Sequence, residues 1–337
     1  MSSTMATAST PFNWTDRSVF VTGATGLLGS HLTQALDERG ASVTVLIRDE
    51  VPSSHFHRLQ LDKRVKIVRG HIEDYELLER ALNEHEVEVV FHCAAQAIVG
   101  TAHRNPLSTW ETNVRGTYTL LEACRRNAKL VDRIVVASSD KAYGDQPKLP
   151  YTEDSPLEGR FPYDASKACT DLIARSYFDS YRLPVCVTRC GNLFGPGDLN
   201  WNRIVPGTIR SALRGEPPII RSDGTFVRDY VYVGDAVDAY LLTASQIGRT
   251  DVTGEAFNFS DARPLTVLEM AKLALSAVGR DDLVPTVLGQ ATHEIKEQFL
   301  DSLKARTRLG WTPKFGMVEG LARTVPWYRQ HLGLEAT

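Results

Sequence analysis

The chain has 337 residues, 42% of them hydrophobic and 23% charged, enough apolar material for one large α/β domain or a domain with a smaller companion. Its net charge of −3 comes with no basic tract, which argues against nucleic-acid binding, and no run approaches 18 consecutive apolar residues, so no membrane-spanning helix is expected. The five cysteines, at 93, 124, 169, 186 and 190, are odd in number and lack zinc or disulfide spacing, which suits buried thiols in a reducing cytoplasm.

Met1 to Pro11 is rich in Ser, Thr and Ala without a basic or apolar signal region, so residues 1–15 read as a disordered tail. Ser18 to Thr22 predicts a short apolar strand. It runs into Gly23-Ala24-Thr25-Gly26-Leu27-Leu28-Gly29 and a helix through about Glu38. Strand, glycine loop and helix in that order suit a dinucleotide: the glycines allow close backbone approach, and the helix N-terminus faces a pyrophosphate. Gly23, Thr25, Gly26, Leu27, Leu28 and Gly29 are the candidate contacts. The spacing is Gly-x-x-Gly-x-x-Gly rather than the commoner Gly-x-Gly-x-x-Gly.

A second strand, Ser42 to Ile47, ends where an NAD site usually carries an acid for the ribose diol; here that place is Ile47. Arg48 follows and can hold a 2′-phosphate, so the cofactor is read as NADP or NAD, with Arg48 leaning to NADP. A third strand, 65–68, leads to Gly70, His71 and Ile72. A fourth, 87–92, ends in Cys93-Ala94-Ala95-Gln96, small residues beside a cofactor. His55, His57 and His71 have no partners at ligand spacing, so no metal is expected. A helix near Asn113 and a strand at 134–137 continue an alternation that predicts a Rossmann-like, doubly wound parallel sheet.

That fifth strand delivers Ser138-Ser139-Asp140-Lys141-Ala142-Tyr143-Gly144 to its carboxyl end, where open α/β sheets place their ligands. Tyr163 and Lys167 follow, four apart on one helical face. A cationic Lys beside a Tyr is expected to lower the phenol from its reference of ~10, making a usable proton acceptor. Beyond a strand at 184–189 and Cys190-Gly191-Asn192 the rhythm breaks. Residues 201–215 read as a helix carrying Arg203, 228–233 as a strand, 235–247 as a helix and 255–259 as the last central strand. The expected division is a cofactor domain of residues 16–190 plus 234–262 and a smaller α+β lobe of 191–233 plus 263–332.

These residues together resemble the extended short-chain dehydrogenase/reductase family, the nucleotide-sugar epimerases and dehydratases. The resemblance covers about residues 17–330 and rests on Gly23/Gly26/Gly29, Ala94-Ala95, Asn113, Ser139, Tyr163/Lys167, Asn192 and Arg228-Asp229-Tyr230. It implies tightly held NAD(P), with His71, Ile72, Ala94, Ala95, Gln96, Asn113, Tyr163, Lys167 and Cys190 joining the glycine loop at the cofactor. It implies a nucleoside-diphosphate sugar as substrate, held by Ser139, Asn192, Arg203, Ile204, Arg228 and His293. Tyr163 would take the 4-hydroxyl proton, Ser139 would bind the same oxygen, and Lys167 the nicotinamide ribose. Asp140-Lys141 after Ser139 resembles the CDP-glucose 4,6-dehydratase-like enzymes, in which the pair would act as acid and base; a short Gly144-Asp145-Gln146-Pro147 is instead epimerase-like. The resemblance also implies a cytoplasmic homodimer built on the Tyr163/Lys167 helix, with Leu172, Ile173 and Phe178 as candidate contacts. The expected activity is an NDP-hexose 4,6-dehydratase; the alternatives are a 4-epimerase using Ser139, Tyr163 and Lys167 alone, and a non-catalytic NAD(P)-sensing regulator.

Overall fold

A computed structural model describes residues 12–290 and 295–334. Its centre is a seven-stranded sheet of β1 (Ser18–Thr22), β2 (Ser42–Ile47), β3 (Lys66–Arg69), β4 (Val89–His92), β5 (Arg133–Ala137), β6 (Val185–Cys190) and the strand Ala256–Phe259. From one edge to the other the order is Ala256–Phe259, β6, β5, β4, β1, β2, β3, and every neighbouring pair is parallel. Side chains alternate between the faces of a strand. Val19, Val21, Val45, Ile47, Val89 and Phe91 fill one core, while Phe20, Leu46, Val90, Ile134 and Val136 fill the other. Both faces are covered, which is why these strands read as continuous apolar runs. The strand order reverses between β1 and β4, and the crevice outside their carboxyl ends is the expected ligand position.

A third core, around Phe194, Ile209, Tyr230, Met270 and Leu321, is enclosed by helices Ile204–Leu213, Val267–Val278 and Gly316–His331. Three features depart from the sequence reading. Residues 12–15 are not tail-like: Trp14 is buried among the first core's side chains, and Arg17 and Arg133 stack on the Phe12 ring. Ala305, Leu309 and Trp311, assigned to the smaller lobe, pack in the sheet's core, with Trp311 edge-on to Phe259. The expected strand 228–233 is two strands in different sheets. Val227–Arg228 pairs with Leu265–Thr266 and Glu297–Gln298, and Tyr230–Tyr232 with Asn192–Phe194. Asp229 sits at the break, its carboxylate accepting the Leu300 N–H at 2.5 Å. Among the described residues no helix is long and apolar enough to cross a membrane.

Candidate active site

The glycine loop is shaped by close approach. Gly23 has φ +75°, and a Cβ there would stand 2.8 Å from the Ala94 nitrogen; a Cβ on Gly29 would overlap the Gly23 carbonyl. Gly26 opens helix Leu27–Asp37 without a side-chain cap among the described residues and with no acid in the first turn. Its first N–H groups therefore face the crevice unneutralised, as a pyrophosphate requires. Leu27 and Leu28 turn partly against the smaller lobe's core.

Thr22, the residue before this loop, holds the end of β4. Its hydroxyl accepts the N–H groups of Cys93 at 3.2 Å and Ala94 at 3.1 Å. Its own proton then goes to His92 Nδ1, 2.9 Å away. His92 Nε2 donates in turn to Thr117 at 3.0 Å, and Thr117 to the Asn113 carbonyl at 2.5 Å. Hydrogen-bond accounting thus assigns the tautomer. Burial and the Lys167 charge keep His92 neutral, its pKa lowered to about 3.

Asn113 lies in a single π-helical turn, Trp110–Arg115, inside a longer helical run. Its amide oxygen accepts Gln96 N–H at 2.7 Å, and its amide nitrogen donates to the Gln96 carbonyl at 3.2 Å and to Ser166 Oγ at 2.9 Å. Ser166 donates to the Tyr163 carbonyl at 2.7 Å. Expected as cofactor contacts, Asn113 and Gln96 are engaged with each other and clamp the β4 loop to the helix Pro162–Tyr181. Ile72, another expected contact, is buried against Gly116, where a Cβ would stand 2.5 Å from its side chain. Arg48 and His71 line an open groove of about 590 Å³ with Ser108, Thr112, Arg115 and the carboxylates of Glu73, Asp74 and Glu111, beyond the ends of β2 and β3. Arg48 is paired there with its neighbour Asp49 at 2.7 Å.

Ser139 caps the short 3₁₀ turn Asp140–Tyr143. Its hydroxyl accepts Lys141 N–H at 3.2 Å and donates to Asp140 Oδ1 at 2.9 Å. Asp140 is 3% exposed, and burial pushes its carboxyl up against the opposing pull of Lys141 and Ser139. Its Oδ2 has no hydrogen-bond partner among the described residues. Lys141 Nζ donates to Gln298 Oε1 at 3.2 Å. Burial pushes the Tyr163 phenol up to about 12, while Arg203 and a hydrogen bond with Ser139 pull it down; these partners bring Ser139, Tyr163 and Arg203 together. Lys167, expected to lower the phenol, is not among the groups that act on it, and desolvation dominates. The Lys167 amine donates to the Ala137 carbonyl at 2.7 Å, and its own pKa is lowered by burial to about 8.

The remaining expected residues divide. Arg203 stands at the N-terminus of helix Ile204–Leu213, bonded to Asp198 at 3.2 Å. Arg228 directs guanidinium donors to the carbonyls of Val227, Lys296 and Ile295, bracing that strand. Asn192 Nδ2 donates to the Asp229 carbonyl at 3.3 Å. Cys190 is buried, and burial pushes its thiol up. His293 lies outside the described residues.

Sequence reasoning missed the pair that seats helix Pro162–Tyr181. Arg189 and Asp171, both fully buried, meet at 2.7 Å and 2.8 Å in a two-point contact. Arg189 also donates to the Tyr143 hydroxyl at 2.7 Å, which donates to Asn258 at 2.7 Å. The available signal was an Arg inside the apolar run of β6, since a buried charge requires a partner.

Residues 19–259 match the NAD dependent epimerase/dehydratase family. The chain belongs to that family. Within it, the chain is 32% identical over 332 residues to the CDP-glucose 4,6-dehydratase of Salmonella typhimurium, covering 94% of this chain and 91% of the relative. Its fold superposes with a TM-score of 0.84 on UDP-glucose 4-epimerase from Thermotoga maritima with UDP-glucose, at 32% identity over 94% of this chain and 99% of that one. It superposes with a TM-score of 0.83 on dTDP-glucose 4,6-dehydratase from Streptomyces venezuelae with NAD bound, at 32% identity over 94% and 98%.

Proposed function

We propose that this family member is an NDP-hexose 4,6-dehydratase, converting its substrate to the 4-keto-6-deoxy derivative and water. The observation that carries the reading is Asp140 and Lys141 beside Ser139 and Tyr163. A 4-epimerase has no use for a second acid and base, whereas water loss across C5–C6 requires both. Asp140 is held toward its protonated form by burial, as a proton donor must be. Lys141 directs its amine to Gln298, and Asp140 is bonded to Ser139.

The glycine loop, the uncapped Gly26 helix start and the Arg48–His71 groove would hold NAD(P). When bound, that group supplies a positive ring, the acceptor for the C4 hydride and its return to C6. Tyr163 takes the C4 hydroxyl proton, with Ser139 bonded to the same oxygen. Lys141 takes the C5 proton as the C6–O bond breaks, Asp140 protonates the departing hydroxyl, and Lys141 gives its proton back at C5. The proton gained by Tyr163 balances the one lost by Asp140. Lys141→Met is expected to stop water loss while leaving cofactor reduction at C4; full turnover in that variant refutes the assignment.

The cofactor proposed is NADP in preference to NAD, because Arg48 follows β2 where Ile47 offers no carboxylate for a ribose diol. Arg48→Ala should weaken NADP about tenfold or more and NAD little; equal effects contradict this. A homodimer through helix Pro162–Tyr181 is supported by Leu172, 54% exposed, whereas Ile173 and Phe178 pack partly into the core. Leu172→Lys should shift sedimentation toward the monomer, and an unchanged dimer would refute that face.

A further inference from the structure

Gln298 is fully buried on the short strand Glu297–Gln298, paired in parallel with Val227–Arg228. Its carbonyl accepts the Asp229 N–H at 3.3 Å. Strand pairing fixes the backbone at this position, and the buried side chain's Oε1 accepts from Lys141 Nζ at 3.2 Å. Its Nε2 has no hydrogen-bond partner among the described residues. We propose that Gln298 is the positioning residue of Lys141, an uncharged tether that holds the amine in place through both of its protonation states. The inference rests on the dehydratase reading, in which Lys141 takes the C5 proton and later returns it.

The chemistry favours an amide for this task. An amide oxygen accepts an N–H from an ammonium and from a neutral amine alike, so the donor–acceptor contact survives proton gain and loss. One N–H of the neutral amine is spent on Gln298, which leaves its lone pair directed elsewhere. A carboxylate at the same point would pin the ammonium, because an opposite charge within about 4–6 Å favours the charged form. Among the described residues, the charged groups near the pair include Asp140, on which both Lys141 and Arg228 act, and Asp229. Asp229 is coupled to Asp140 and held up to about 7 by burial. Burial thus moves both carboxyls toward neutrality, and Gln298 adds no charge of its own.

The test follows water loss by mass from CDP-glucose, UDP-glucose and dTDP-glucose across a pH series, alongside cofactor reduction in a single turnover. Gln298→Glu, nearly the same shape, should move the water-loss profile to higher pH by about one to three units, with cofactor reduction unmoved. Gln298→Met removes the acceptor without adding charge, so it should lower kcat for water loss at every pH while KM and the profile's midpoint stay. Should the buried carboxylate prevent folding, Gln298→Met decides by itself. Water loss by the unsubstituted protein with either folded variant behaving like it overturns the tether alone. No water loss from any of these three sugars or from a GDP-hexose by the unsubstituted protein overturns the dehydratase reading and the tether together.

Discussion

Replacing Asp171 by Asn keeps the shape of the buried contact with Arg189 and removes one of its two charges. The guanidinium then has the Tyr143 hydroxyl at 2.7 Å and the Glu153 carbonyl at 3.3 Å as its remaining partners. Breaking a buried pair from one side costs about 3–5 kcal/mol, since the surviving charge stays desolvated. That is a large part of a typical stability of about 5–15 kcal/mol. Arg189→Met should cost a similar amount by stranding the Asp171 carboxylate. The double variant Asp171→Leu/Arg189→Met should recover much of the loss, because apolar replacement of both partners leaves no stranded charge. Denaturant unfolding of the unsubstituted protein, Asp171→Leu, Arg189→Met and the double variant gives the coupling energy directly, with Asp171→Asn measured beside them. A single-variant cost below about 1 kcal/mol, or a double variant as costly as the two singles summed, would refute this. Because Asp171 lies one turn beyond Lys167 and Arg189 reaches Tyr143 in the Ser139 turn, the single variants should also slow C4 oxidation.

His92 and His55 are both lowered to about 3 from 6.5, His92 by burial and the Lys167 charge and His55 by burial with His31 and Arg58. The unfolded chain binds the extra protons between those values, so stability falls as pH drops from 6.5 toward 3, by up to about 1.4 kcal/mol per pH unit for each group. Unfolding midpoints should show this slope, reduced in His92→Gln; an unchanged slope contradicts it. Gly29→Ala should weaken NAD(P) binding about tenfold or more by forcing the loop open, and calorimetric titration with an unaltered affinity would refute the packing. Lys167, lowered by burial to about 8, loses its charge as pH rises through that value. C4 oxidation should decline above about pH 8. The fold should not weaken there, because between about 8 and 10.5 the unfolded chain binds the extra proton and stability from this group rises. Activity loss that tracks unfolding instead would contradict the role of the cation.

The central sheet was readable because its strands are covered on both faces. A run such as Ile134-Val135-Val136 has to be apolar at each position, and the glycine loop announces itself by its place between strand and helix. The smaller lobe was less readable for a physical reason. Alternation along 228–233 describes one strand or two equally well, and only the contact of Asp229 with Leu300, 71 residues away, decides that the chain changes sheets there. In the site, residue types were legible and their employment was not. Asn113 could face a cofactor or clamp Gln96 with the same side chain. Tyr163 beside a lysine suggests an acidic phenol until burial is weighed against it. Gln298 gives no local signal, since its significance comes entirely from the Lys141 amine that the fold brings to it.

The measurement that bears most directly on the central claim is mass spectrometry of CDP-, UDP-, dTDP- and GDP-hexoses after incubation with the purified protein. Loss of one water from one of them, without added reductant, is the predicted result. An unchanged mass together with inverted configuration at C4 by NMR would make the protein a 4-epimerase and leave Asp140 and Lys141 as structural residues.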